Sequence, residues 1–157
     1  MRPVVFALAA AVALPVLPGA AGAEAQTLVT RVTSDDLVGY VERAGHTVSQ
    51  VDSNGVPTIG VSAEQGFMYV IQGNACDEAG CEGLKLMAQY DGASGVSLDQ
   101  INTLNIDVPA MKFWKSDDVL GLERYLILNG GLTDDNIVYE LETFDTIVPR
   151  MVERLVE

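Results

Sequence analysis

Apolar residues recur at helical spacing in three stretches of the chain and at alternate positions in the segments between them. The first helical stretch carries Leu37, Val38, Val41 and Ala44 on one side. Asp35 and Asp36 precede it, where the positive end of a helix favours acids, and Gly45 follows as a stop. This predicts a short amphipathic helix over 35–44 with Ser34 as its N-cap. The next residues alternate. His46 to Asp52 does so weakly, Ser53-Asn54-Gly55 reads as a turn, and Pro57 to Ala63 places Ile59, Val61 and Ala63 on one face, so a hairpin is predicted. Glu64-Gln65-Gly66 turns the chain into Phe67–Gly73. There Phe67, Tyr69 and Ile71 share one face while Met68 and Val70 share the other. A strand apolar on both sides is central and covered twice, or it lends one face to association.

After an acidic loop with Cys76 and Cys81 at its ends, Leu84, Leu86, Ala88 and Tyr90 alternate with Lys85, Met87 and Gln89. Ser97-Leu98-Asp99-Gln100 fits a capping box, and Leu98, Ile101 and Leu104 predict the buried stripe of a second helix that Pro109 ends at the latest. Met111–Lys115 and Val119–Leu128 predict a second hairpin about Ser116-Asp117-Asp118. A final helix opens at Thr133, with Ile137, Leu141, Phe144, Val148, Met151 and Leu155 along one face. Pro149 lies inside it, and its missing N–H predicts a kink. Val138, Ile147 and Val152 are apolar too but off that line. Either they widen the core stripe, or they form a homodimer seam or a groove for a partner segment. The pattern predicts one α+β domain: an antiparallel sheet with helices in the order helix, four strands, helix, two strands, helix.

The N-terminus changes the domain count. Met1-Arg2, an apolar run from Val4 to Leu17, and Ala21-Gly22-Ala23 describe a signal peptide over 1–23, cut before Glu24. The run is too short to span a bilayer, which needs ~20 apolar residues. Residues 24–33 then read as a flexible leader and 34–157 as the domain. A periplasmic or secreted protein is expected, with no integral membrane segment once the signal is cut.

Composition narrows the partners. The 157 residues hold 22 acids against 9 Lys and Arg, a formal net charge of −13. That balance argues against nucleic acid and anionic membranes, because an acidic surface gains nothing from a polyanion's counterions. It permits basic partners, although solubility alone accounts for it.

Candidate chemistry is sparse. In an oxidising compartment the two cysteines predict a Cys76–Cys81 disulfide. A redox pair would favour C-x-x-C at a helix N-terminus, whereas Asp77, Glu78 and Glu82 around these thiols would oppose a thiolate. The same three acids lack the ligand spacing of a calcium loop, and one histidine beside a bonded cysteine pair does not make a zinc site. A solvated loop is the simpler reading, with cation binding left open. His46 is expected to pack at a strand start. The acid pairs at 35–36 and 134–135 belong to helix first turns, and 117–118 to a hairpin turn. No catalytic residue, metal or cofactor is expected.

With that order in place, the segments Cys76…Cys81-Glu82-Gly83-Leu84-Lys85-Leu86, Ile101-Asn102-Thr103-Leu104-Asn105 and Leu122-Glu123…Leu128-Asn129-Gly130-Gly131 resemble the YbjN domain family. Its members are described as bacterial sensory transduction regulators. The likeness covers residues 35–155. Leu104 departs from it, because the family commonly has tryptophan there. The resemblance implies a fold similar to type III secretion chaperones and no enzymatic activity. Asn102 and Asn105, three apart on one helical face, are candidate binding residues; alternatively they cap that helix or bond the following loop. The leading expectation is an exported, non-catalytic protein-binding, chaperone-like or regulatory module. The alternative is a periplasmic domain that senses a small molecule or cation.

Overall fold

The computed structural model describes residues 27–52 and 55–156, so the predicted signal peptide and two residues of the first hairpin turn, Ser53 and Asn54, lie outside the described residues. Among the described residues the elements run α1 (Ser34–Arg43), β1 (Thr47–Asp52), β2 (Thr58–Ser62), β3 (Met68–Asp77), β4 (Gly80–Asp91), a 3-10 turn at Ala93–Gly95, α2 (Leu98–Asp107), β5 (Lys112–Ser116), β6 (Val119–Ile127) and α3 (Asp134–Val156). The strands form one sheet in the order β1-β2-β3-β4-β6-β5, antiparallel throughout. This is the α+β domain that the alternation predicts.

Local signals account for most boundaries. Thr33, not Ser34, caps α1: Asp36 N–H donates to Thr33 Oγ1, and the Asp36 carboxylate takes Thr33 N–H in return. A threonine with an acid three residues on satisfies two orphan donors, whereas a cap at Ser34 forgoes that reciprocity. Ser97 and Gln100 close the same motif on α2. Within α2, Ile101 and Leu104 are buried but Leu98, the first helical residue, is exposed, so the buried stripe begins one turn later. Asp117 takes a left-handed φ of 51° in the β5–β6 turn, a conformation Asp tolerates through local side-chain bonding. α3 continues through Pro149.

The core lies between the helices and one face of the sheet. Ile59, Val61, Tyr69, Ile71, Leu84, Leu86, Leu120 and Leu122 come from the strands, and Leu37, Val41, Ile137, Leu141, Phe144 and Val148 from α1 and α3. Tyr40 of α1 donates to Asp134 Oδ1 at 2.6 Å, and Arg43 pairs with Asp135 at 2.9 Å, so both acids of the α3 first turn also join the two helices. Val138, Ile147 and Val152 are half-buried and pack against this core.

The expected flexible leader needs correction over residues 27–33. Val29 pairs with Leu132, and Val32 exchanges two backbone hydrogen bonds with Cys81 at 2.9 and 3.1 Å. Val32 is only 1 % exposed. Arg31 reaches over the β3–β4 turn to both Asp77 and Glu82. The short apolar run Leu28–Val29 and Val32 carried the signal, but a two-bridge strand has no clear sequence period.

Cys76 and Cys81 face each other across β3 and β4 and are joined in a disulfide. Strict alternation would place Cys81 beside Lys85 and Met87. It is instead fully buried, and a Cβ on Gly73, which belongs to the Tyr69–Ile71 side, would lie 2.4 Å from its sulfur. Ala75, with φ at 50°, interrupts the alternation between them. Gly73 is therefore required by the staple rather than by a turn.

Candidate functional site: the open face of the sheet

The residues that alternate with the core remain at the surface of the sheet. Cross-strand pairing sets them in rows: Gln50, Gly60, Val70, Met87, Glu123 and Lys112 form one, because each is the register partner of the next. Met68 is 56 % exposed, while Val70 and Met87 are half-exposed. The strand β3, apolar on both sides in sequence, is thus central and, among the described residues, covered on one side only.

A hollow of about 310 Å³ opens in this face beside Met68, Val70, Met87 and Gln89. Gly60 shapes it, since a Cβ there would come within 2.8 Å of Ser49 Oγ. Both methionines are oriented through sulfur: Ser62 Oγ lies 3.0 Å from Met68 Sδ, and Gln89 Nε2 lies 3.6 Å from Met87 Sδ. Methionine is an adaptable contact residue, polarizable and with few shape demands. Farther across the sheet two aromatic rings lie over glycines. Trp114 covers Gly121, its direct partner, and Tyr125 covers Gly83 with its hydroxyl end. An added Cβ at either glycine would collide with the ring. These ring-on-glycine pairs close gaps in the pleat that bare glycine would leave.

Charge is scarce here in a chain of net charge −13. Glu123 is the acid in the middle of the face, and it is balanced: Lys112 Nζ lies 3.1 Å away and Trp114 Nε1–H donates to it at 2.9 Å. The remaining polar positions in the hollow are neutral Ser49, Gln50 and Gln89. Such a face offers apolar contact and neutral hydrogen-bonding groups.

The other polar cluster is behind this face, inside the core. His46 Nδ1 and the Tyr69 hydroxyl are 2.8 Å apart, and Asp145 Oδ2 lies 3.8 Å from His46 Nε2. Gln65 N–H donates to the other Asp145 oxygen at 3.2 Å, tying the β2–β3 turn to α3. His46 and Asp145 are each 5 % exposed and Tyr69 is 2 % exposed. Burial, and then the charge of Asp145, push the Tyr69 phenol above its ordinary value. The neighbouring Phe67 and Phe144 rings complete the pocket, with Phe144 centred 5.3 Å from Tyr69. This network joins β3, α3 and the start of β1. His46 packs at a strand start, as its position in sequence predicts. Asp145 was not foreseen, and its signal was an acid beside Phe144 in an otherwise apolar stripe.

The other sequence-derived candidates separate. Asn105 clasps the backbone of Phe113, accepting its N–H and donating to its carbonyl, both at 2.9 Å. That two-way bond passes over the following loop and holds α2 to the backbone of strand β5. Asn102 is exposed and makes no comparable bond among the described residues. In the acidic loop, Asp77 and Glu82 are engaged by Arg31. The Asp77 carboxyl is held below its usual range by the Ala79 N–H and then by that guanidinium.

No family model matches the chain, and no curated protein matches it. Among solved structures it is similar to YbjN from E. coli, with 13% sequence identity and a TM-score of 0.43, over 76% of this chain and 95% of that one. Nothing about this chain's activity follows from that likeness.

Proposed function

We propose that the protein is an exported, non-catalytic module that binds another polypeptide across the open face of its sheet. The observation that carries this reading is the charge-poor patch of Met68, Val70 and Met87 on a strongly acidic chain. Single exposed apolar residues need no explanation, but a contiguous group on an uncovered sheet face marks a contact surface. The surrounding acids repel copies of the chain and other acidic proteins elsewhere, so specific contact is favoured where charge is absent. Export is supported by the N-terminal pattern and by a disulfide that an oxidising compartment would maintain.

The test uses the mature chain, starting at Glu24, immobilised in periplasmic extract beside a Val70→Lys, Met87→Lys variant. Both substituted residues are half-exposed, so the variant should melt with the wild type. Proteins retained by the wild type and lost from the variant support the reading. An identical retained set on both would overturn it.

A further inference from the structure

A second feature stands apart from the Val70 hollow and does not rest on the open-face reading. β6 has nine residues, yet β5 pairs only with Val119–Glu123. Lys112 opposite Glu123 is the last paired residue, and the chain bends away at Met111, whose N–H turns back to Val108. Among the described residues, the outer edge of β6 beyond Glu123 is therefore uncovered. Its hydrogen-bonding phase can be assigned. Leu128 N–H donates to Glu82 on the β4 side at 2.8 Å. Residues of an antiparallel strand direct both backbone groups to alternate sides. Leu126 and Arg124 thus bond towards β4, while Tyr125 and Ile127 direct their N–H and C=O groups to the free edge. Those four groups continue the ladder that Glu123 makes with Lys112.

Beside this edge two hollows, of about 350 and 430 Å³, share Pro109, Ala110, Arg124 and Tyr125 and so form one groove. Tyr125 is 51% exposed and Ile127 64% exposed, so the groove has an apolar side. Its opposite side is set by Arg124, which pairs with Glu140 of α3 and donates to the Ala110 carbonyl. Lys112 is neutralised by Glu123. Lys85, the register partner of Tyr125, lines the groove and makes no ion pair among the described residues. An unpaired cation is notable on a chain with 22 acids and 9 bases.

We infer that this half-edge is a strand-addition site that takes an extended segment of another polypeptide, apolar at alternate positions and acidic at the position facing Lys85. The segment would extend the line of β5 and satisfy the outward N–H and C=O groups of Tyr125 and Ile127. Unguarded edge groups are a template for such pairing. Side-chain contact with Tyr125 and Ile127 adds the apolar preference, and Lys85 adds the preference in charge.

The probe is a panel of seven-residue peptides in which valine alternates with threonine, with aspartate, lysine or a proline at the central position. Binding to the mature protein is read by protection of the Tyr125 and Ile127 amides in hydrogen–deuterium exchange. Aspartate peptides should protect both amides and bind at least about threefold tighter than lysine peptides, because only they complement the lone cation. The central proline should abolish binding, since it removes a ladder donor. Ile127→Pro removes an outward N–H without taking a bond from β4, as proline is accepted on an edge, and should weaken binding by about tenfold or more. Lys85→Glu keeps the edge intact and should reverse the aspartate–lysine order. Absence of protection with every peptide at millimolar concentration would overturn the site, as would unchanged binding in a folded Ile127→Pro protein. Self-association that Ile127→Pro abolishes, without peptide binding, would assign the edge to a second copy and overturn it too. Because Val70→Lys, Met87→Lys leaves β6 untouched, loss of the open-face reading does not remove this one.

Discussion

Leu86 and Met87 are neighbours on β4 and belong to different environments. Leu86 is fully buried against the helices, between Ile71 of β3 and Arg124 of β6 in its row. Met87 is half-exposed between Val70 and Glu123. The same alternation holds along β3, where Tyr69 is 2 % exposed and Met68 is 56 % exposed. Apolar character is therefore common to both faces, and it has a different cause on each. On the covered face the residues are large, branched and interlocked with α1 and α3. On the open face they are methionine, Val70, Ile127 and rings laid over glycine, set largely among neutral amides. The first face is closed by the helices. The second stays at the surface, with Met68 exposed and Val70 and Met87 half-exposed.

That contrast has a direct measure. Leu86→Ala should cost roughly 2–5 kcal/mol, because it removes buried methyls and leaves a cavity that close-packed neighbours fill only in part. Urea unfolding should show a lower midpoint with an unchanged slope. A loss near zero would mean that the helices do not cover this face.

Alternation and capping made the covered face legible in the sequence. Ile59, Val61, Ala63, Leu84, Leu86 and Ala88 fall on the core side as their spacing predicts. The α3 stripe does so as well, with Met151 half-buried near its end. Three things were hidden, each for a physical reason. The bridges of Val29 and Val32 depend on residues some fifty to a hundred positions away, and two isolated bridges leave no local period. Asp145 reads as a solvated acid until the β2–β3 turn and His46 arrive from elsewhere in the chain. The free half of β6 follows from unequal strand lengths, nine residues against five, a difference visible only once register is fixed. Which side of β3 lacks cover was likewise undecidable from two apolar faces, because cover depends on where the helices dock.

The hairpin tip sharpens the comparison, since there the two faces meet. The Cys76–Cys81 bond crosses from the parity of the open face to lie over Gly73 of the covered one, and Val32 seals it. Replacing both cysteines with serine releases a loop of 5 residues' separation. The chain-entropy account gives a loss of about 2 kcal/mol for such a loop. Thermal unfolding of the double variant, compared with the oxidised protein, checks this. If the loss matches that of Leu86→Ala, the tip contributes as much as the central core and the two regions are not separable in stability.

Met87→Ala should have the smallest effect of all, under about 1 kcal/mol. The side chain is already half in water, so little additional apolar area is exposed on truncation and no closed cavity forms. One interaction opposes neutrality. Gln89 Nε2 approaches the methionine sulfur at 3.6 Å, and truncation leaves that amide to water. Sulfur is a weak acceptor and Gln89 is exposed, so water replaces it at slight cost. The adjacent substitutions, measured under the same conditions, thus form a pair with a large and a small loss. A Met87→Ala loss approaching that of Leu86→Ala would show that Met87 packs as a core residue, and the division into a structural face and a contact face would fail. A small loss together with weakened retention of a bound protein places Met87 in contact with a partner.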